Sequence, residues 1–239
     1  MAQRPIYLPT STPPFFKVEI VEFTWFPGYS KEQKQKSIWS LHENAALETG
    51  VDSPLEISSK STSPLGYKLS AFNLPAYSND KRYQAPACSL EMVFQTSKVF
   101  GEDIHCIDLV GEDVRRVRKT VRERESKGLE HFRFEEVDWP LDPKGAFYNF
   151  IYLRSLNELG SEKSDILCHD GFTDIEFNPK KSINCQAEAV STFVGISRAG
   201  LDLKHISKDK EPFLKIVYPT KPKVGATDSS EAYQEEMSF

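Results

Sequence analysis

Glu91, Gln95 and Lys98 stand at i, i+4 and i+7 in the segment SLEMVFQTSKVF, residues 89–100. On a helix this spacing gathers a carboxylate, an amide and an amine into one narrow stripe. Leu90, Val93, Phe94 and Ser97 form the neighbouring stripe. A carboxylate suits proton transfer or the stabilisation of a developing cation. The same spacing also describes an ordinary amphipathic helix with a solvated polar face, and the pattern alone leaves both readings open.

Three other segments carry candidate chemistry. Residues 55–74, LEISSKSTSPLGYKLSAFNL, set Ser58, Ser59, Lys60, Ser61, Ser70 and Asn73 around a Pro-Leu-Gly turn. Small hydroxyls there can hold phosphate or ribose, or simply build the turn. In GFTDIEFNPKKSINCQAEA, 171–189, Asp174 and Glu176 would share one face of a strand. Lys180, Lys181, Ser182 and Asn184 follow in a loop. That set fits a sugar and its phosphates, or a surface ion-pair loop. The run RRVRKTVRER, 115–124, is strongly basic in a chain of net charge -5. It can meet a phosphate backbone or be a solvated helix face.

Several chemistries find no support. GxSxG, Walker A, HExxH and GxGxxG patterns are absent. Five histidines show no metal spacing, and Cys88, Cys106, Cys168 and Cys185 form no CxxC pair. Cys168 and His169 are adjacent, so on a strand they point to opposite faces. Reduced thiols in a cytoplasmic protein are the expectation. No 18-residue apolar window suggests a membrane span, and the N-terminus lacks the pattern of a secretory signal.

The elements that must position these groups mix strand and helix signals. Residues 16–26 read as a strand whose phase switches, either bulged or buried on both faces. Ser30 and Gln33 fit a capping box; Ile38, Leu41 and Ala45 share a face, and Gly50 is a stop. Residues 54–58 and 68–72 read as short strands. Ser89 caps a helix through Phe100, and Val110, Val114, Val117 and Val121 mark another. Pro143 precedes a third helix bearing Phe147, Phe150 and Ile151. Val190, Phe193 and Val194 mark a late helix, and residues 212–218 read as a closing strand. The fold class is α+β, a single domain, mainly helical with a small sheet. With 239 residues and 39% hydrophobic content, one domain is expected over residues 15–220. Prolines 5, 9, 13 and 14 suggest an extended, weakly packed arm over 1–14, and 221–239 read as a flexible acidic tail.

Three of the segments resemble the NADAR family, which includes the YbiA-like proteins. Its members carry a G-x-L/F-S-N-F turn, an E-H-x-F-Q-A-x-K-F helix and an Asp- and Gly-rich loop leading to N-x-L-G. The counterparts here are Gly66 to Asn73, Glu91 to Lys98, and Asp174 to Asn184. The E-x-x-F-Q-x-x-K match is the most specific. Met92 replaces the usual His, and Ser70-Ala71-Phe72 replaces S-N-F. The core resemblance spans roughly residues 55–200. The stretches WFPGYSKEQKQKSIWSLHENA and FTDIEFNPKKSINCQA look like the subgroup associated with DarT-type toxins.

The resemblance implies an antitoxin. The toxin would attach ADP-ribose to the guanine amino group in DNA, and this protein would hydrolyse that bond. The implied partners are ADP-ribosylated DNA, ADP-ribose as product and the cognate DarT-type toxin, with no membrane, no cofactor and no metal. The implied catalytic groups are Glu91 as the carboxylate and Lys98 as an amine nucleophile, with Lys60 its rival. Gln95 and Asn73 would orient the ribose hydroxyls, beside Ser70 and Phe94. Asp174, Glu176 and Asn184 would complete the wall, and Lys180 and Lys181 would hold the pyrophosphate. The alternatives are an N-glycosidase of riboflavin-pathway intermediates and a non-catalytic antitoxin that binds toxin or nucleic acid.

Overall fold

The computed structural model describes residues 1–84, 88–180 and 182–219. The tail expected over 221–239 lies outside the described residues. The first sheet has the order β2-β1-β8-β3. β1 (Ala2–Pro9) and β2 (Phe16–Phe23) form an antiparallel hairpin with Ala2 opposite Phe23 and Pro9 opposite Phe16. β8 (Gly171–Thr173) meets β1 through Tyr7 and Phe172, and β3 (Pro54–Glu56) runs parallel to β8.

The two sides of β1 serve different cores. Ile6 and Leu8 pack with Val21, Phe23 and the apolar stripe of α1 (Lys31–Thr49), namely Ile38, Leu41 and Ala45. Tyr7 faces the main core on the opposite side. The N-terminal segment is therefore extended, as its prolines suggest, but residues 2–9 are a packed strand rather than a loose arm. The period-2 alternation of Ile6, Tyr7 and Leu8 outweighs Pro5 and Pro9. β2 is covered on both faces by turns: Phe16 and Val18 pack on the main core, while Val21 and Phe23 join the second. This accounts for its phase switch.

The second sheet has the order β5-β4-β6-β7, from β4 (Lys98–Phe100), β5 (Ile104–His105), β6 (Leu129–Phe134) and β7 (Val137–Trp139). Against the second sheet packs α5 (Ala146–Asn157), buried at every residue from Ala146 to Leu156, the pattern of a central helix. Phe147 stacks on Phe132 with centroids 4.7 Å apart, and Phe150 meets Trp139 at 4.4 Å. The remaining helices are α2 (Pro64–Lys68), α3 (Leu90–Thr96), α4 (Val114–Arg124), α6 (Glu162–Leu167), α7 (Gln186–Arg198), α8 (Leu203–Ile206) and α9 (Lys210–Val217). Helix α1 bears the expected cap: Ser30 Oγ accepts from the Gln33 amide, and Gly50 adopts φ 73° at the end. Among the described residues no disulfide is formed and no helix is long and apolar enough to cross a membrane.

Three local expectations change. Residues 68–72 are the end of α2 and a turn, not a strand, because Pro64 starts a helix at its first position. The helix from Ser89 stops at Thr96, whose hydroxyl bonds back to the Met92 carbonyl, and Lys98–Phe100 pairs with β5 and β6. Residues 212–218 are mostly helical: Phe213 and Val217 are buried at i, i+4, and Pro212 sits in the first turn, where its missing N–H is harmless.

α7 approaches the turn of the β1–β2 hairpin backbone to backbone. A Cβ on Gly195 would lie 2.1 Å from the Phe15 carbonyl oxygen and 2.5 Å from that of Thr10. Gly195→Ala is expected to destabilise the fold by roughly 2 kcal/mol, within the usual range for overpacking. Urea unfolding would show it, and an unchanged midpoint would contradict the close packing.

Candidate active site

A cleft of about 710 Å³ opens between α3, α4, the turn after α2, and the loop joining β8 to α7. Its centre is Glu91. Ser89 caps α3, accepting from the Met92 amide, and the Glu91 amide donates to the Ala71 carbonyl at 2.8 Å. These bonds fix the first turn of α3 against the turn at 70–74. The Glu91 side chain is 8% exposed. Its Oε1 accepts from Gln95 Nε2 at 3.1 Å and lies 3.3 Å from Arg118 Nε. Among the described residues no donor reaches Oε2, which is left for a ligand.

Aromatic and apolar groups line the cleft beside this carboxylate. Phe94 and Tyr148 meet edge to face at 5.1 Å, and Phe177 adds a third ring. Phe72, 41% exposed, lies under the Arg118 guanidinium at 5.5 Å. Ser58, Ser59, Ser182 and Asn184 contribute hydroxyls and an amide. The serine loop is held by another close approach, since a Cβ on Gly66 would meet the Glu56 carbonyl oxygen at 2.0 Å.

Asp174 forms a further wall and rests on a second buried carboxylate. Its Oδ1 accepts from the amides of Glu176 and Phe177, and its Oδ2 from Gln186 Nε2 at 2.9 Å. Asp174 and Glu176 therefore do not share a strand face. β8 ends at Thr173, and Asp174 nucleates a turn that leaves Glu176 exposed, paired with Lys34 at 3.0 Å. Behind Asp174, Glu56 accepts from Thr173 Oγ1 at 2.6 Å and from the Ile175 amide at 2.8 Å. His42 Nε2 lies 2.8 Å from the same hydroxyl. With the Thr173 proton directed to Glu56, His42 Nε2 acts as donor. Burial pushes His42 down to about 4.

Burial, and then the charge of Glu56, push Asp174 up to about 7. Burial raises Glu56 as well. Folded Asp174 thus keeps its proton at pH values where the unfolded chain, near 3.8, has lost it. The stability this supplies is full below about pH 4 and is lost as pH rises through about 7. Glu56→Gln removes the neighbouring charge and is expected to flatten that decline. Melting temperatures across this range test it; an undiminished decline in the variant would show that Glu56 does not set the Asp174 proton.

Of the residues singled out in the sequence, Glu91, Phe94, Gln95, Asp174, Glu176 and Asn184 line one cleft. Lys98 leaves the expected helical stripe because the helix ends before it. It lies on β4 with Nζ 5.2 Å from the Phe94 ring, and burial lowers its pKa against the raising influence of Glu125 and Glu91. Ser70 and Asn73 bond each other: Asn73 Nδ2 donates to Ser70 Oγ and to the Tyr67 carbonyl, both at 2.9 Å. Lys98, Ser70, Asn73, Lys60 and exposed Lys180 stand outside the lining, and Lys181 lies outside the described residues. Tyr148, Phe177 and Gln186 were not singled out. Phe177 and Gln186 lie within the segment 171–189 and Tyr148 lies far from it, and no local pattern marks any of the three. Gln186 ties the walls together, its Oε1 accepting from the Ala71 amide at 2.7 Å.

A buried carboxylate with one open oxygen, beneath arginines and beside aromatic rings, suits a polar ligand that carries both charge and a flat ring. The model of one family, described as DarT1-associated NADAR antitoxin, matches residues 2–226, and the chain belongs to that family. It is thereby an antitoxin associated with DarT1 toxins. No curated protein matches the chain.

Proposed function

We propose that the protein hydrolyses ADP-ribose from the guanine amino group of nucleic acid, so reversing the modification made by a DarT-type toxin. The observation that carries this reading is Glu91, a buried residue on the cleft lining whose Oε2 meets no protein hydrogen-bond donor among the described residues. In the reaction the bond between the ribose carbon and the exocyclic nitrogen breaks. The nitrogen gains a proton, and the hydroxyl of a water joins the ribose carbon, giving guanine and ADP-ribose. Positive charge develops on the ribose, and an adjacent carboxylate stabilises it or takes a proton from the attacking water.

Gln95 holds Glu91 in place, and Phe94, Tyr148 and Phe177 offer ring surfaces to the bases. Arg118, on the cleft lining, is a further candidate to meet the pyrophosphate beside Lys180 and Lys181. Asp174 and Asn184 supply acceptors for ribose hydroxyls. Lys98 remains the candidate amine nucleophile, since burial favours its neutral form. The volume of the cleft falls within the usual range for small-molecule sites.

The test is release of free ADP-ribose from guanine-modified DNA by the purified protein, compared directly with a riboflavin-pathway N-glycoside. Borohydride added during turnover traps a covalent adduct if a lysine attacks. Binding of toxin or DNA with no release of ADP-ribose would favour a purely binding antitoxin.

A further inference from the structure

The cleft does not account for the basic helix above it. α4 presents Val117 and Val121 to the core, and its arginines point away. At 100° per residue, Arg118, Arg122, Arg115 and Lys119 fall in that angular order within about 100° of arc. All four are exposed. Arg118 and Arg115 line the cleft, whereas Lys119 and Arg122 do not.

The other basic residues of α4 are already neutralised. Arg116 pairs with Glu112 at 2.9 Å, and Arg124 with Asp108 at 3.0 Å. Arg115, Lys119 and Arg122 make no ion pair among the described residues. Glu123 falls beyond Lys119, on the side away from the cleft. An unpaired stripe of Arg115, Lys119 and Arg122 thus starts at the cleft mouth, beside the Arg118 that pairs with Glu91, and leads away from it on a chain of net charge -5.

The geometry points to α4 as the track for the nucleic-acid backbone that flanks the modified base. From Arg115 to Arg122 the helix rises roughly 10 Å, the span of about three nucleotides at 3.4 Å each. Cations spaced along such a rise match a strand of phosphates better than a single anion. Exposed Phe72, with Arg118 over its ring, lies at the start of the track and offers a stacking face to a neighbouring base. The inference rests on the reading of the cleft as a guanine ADP-ribose site, which sets where the strand must begin.

The probe is a labelled, unmodified single-stranded DNA oligonucleotide, followed by fluorescence anisotropy at several salt concentrations. The double substitution Lys119→Gln and Arg122→Gln is expected to weaken binding roughly tenfold at low salt. It should lower the slope of log K against log salt by about 1.4, for two lost contacts. Phe72→Ala should weaken binding about fivefold or more and leave the slope unchanged. Wild-type affinity and slope in the double variant would overturn the track, as would equal competition by polyglutamate of the same charge. Binding involves no turnover, so the two readings separate. Binding that follows these variants without any hydrolysis would sink the proposed activity alone. Hydrolysis with binding indifferent to the variants would sink the track alone.

Discussion

Glu91→Gln is expected to slow ADP-ribose release from guanine-modified DNA by at least about 10²-fold, the usual scale of a general acid–base or charge-stabilising contribution. The substitution keeps the size of the side chain, and its amide oxygen can still accept from Gln95. The fold and the cleft are therefore retained, and the melting temperature should stay close to that of the wild type. What is lost is the negative charge that, on the proposed reading, faces the ribose carbon. That charge matters most when the glycosidic bond is breaking, so the loss should fall on kcat more than on KM. Single-turnover rates measured with saturating protein isolate the chemical step. A variant with full activity would remove Glu91 from the mechanism. A loss confined to KM would reduce it to a binding group.

Glu135→Ala is expected to cost about 3–5 kcal/mol of folding stability, the range seen when one partner of a buried ion pair is removed. Glu135 and Glu136 form the tip of the β6–β7 hairpin, and both adopt positive φ, 49° and 61°. Hairpin tips of this shape favour Asn and Gly, because other side chains clash with their own backbone there. The neighbours hold Glu135 in place. Its carboxylate meets Arg154 Nη1 at 3.0 Å and accepts from Ser78 Oγ at 2.9 Å and from the Asn79 amide at 2.5 Å. Arg154 is 6% exposed, set among Tyr77, Phe134 and Phe150. Without Glu135 its guanidinium stays buried and loses its carboxylate. Glu136 provides the control. It pairs with the more exposed Arg82 and Arg133, so Glu136→Gly should be near neutral, with relief of backbone strain offsetting the lost surface pairs. Denaturant titration compares the two. A Glu135→Ala variant within about 1 kcal/mol of wild type would show that Arg154 finds water or another partner.

What the sequence made legible was what local spacing controls. α1 could be read from its cap at Ser30, its stripe and its stop at Gly50. The pairing of Glu91 with Gln95 followed from i, i+4 geometry. Lys98 could not be read in the same way, because helix and strand propensities compete across 97–100 and pairing with β6 decides the outcome. β1 was obscured by its prolines, whose effect depends on which neighbour each faces. Asp174 and Glu176 alternate as strand residues do, yet the carboxylate of Asp174 captures two backbone amides and turns the chain. Tyr148 reaches the cleft because α5 packs beside α3, and Gln186 because the start of α7 meets the turn at Ala71; no local pattern marks either residue. The relation of Glu56 to Asp174 is also non-local, since it arises where β3 runs beside β8.

Ala71 gives the site a dependence that side-chain substitution cannot see. Its carbonyl receives the Glu91 amide and its own amide reaches Gln186, which in turn holds Asp174. The two carboxylates on opposite walls are thus registered to each other through the backbone of one residue whose side chain is a single methyl group. Alanine scanning would pass over this strut, since residue 71 is already alanine and both of its bonds are made by the backbone. Changing the length of the turn by one residue would displace it, shifting Glu91 relative to Asp174 without substituting either carboxylate.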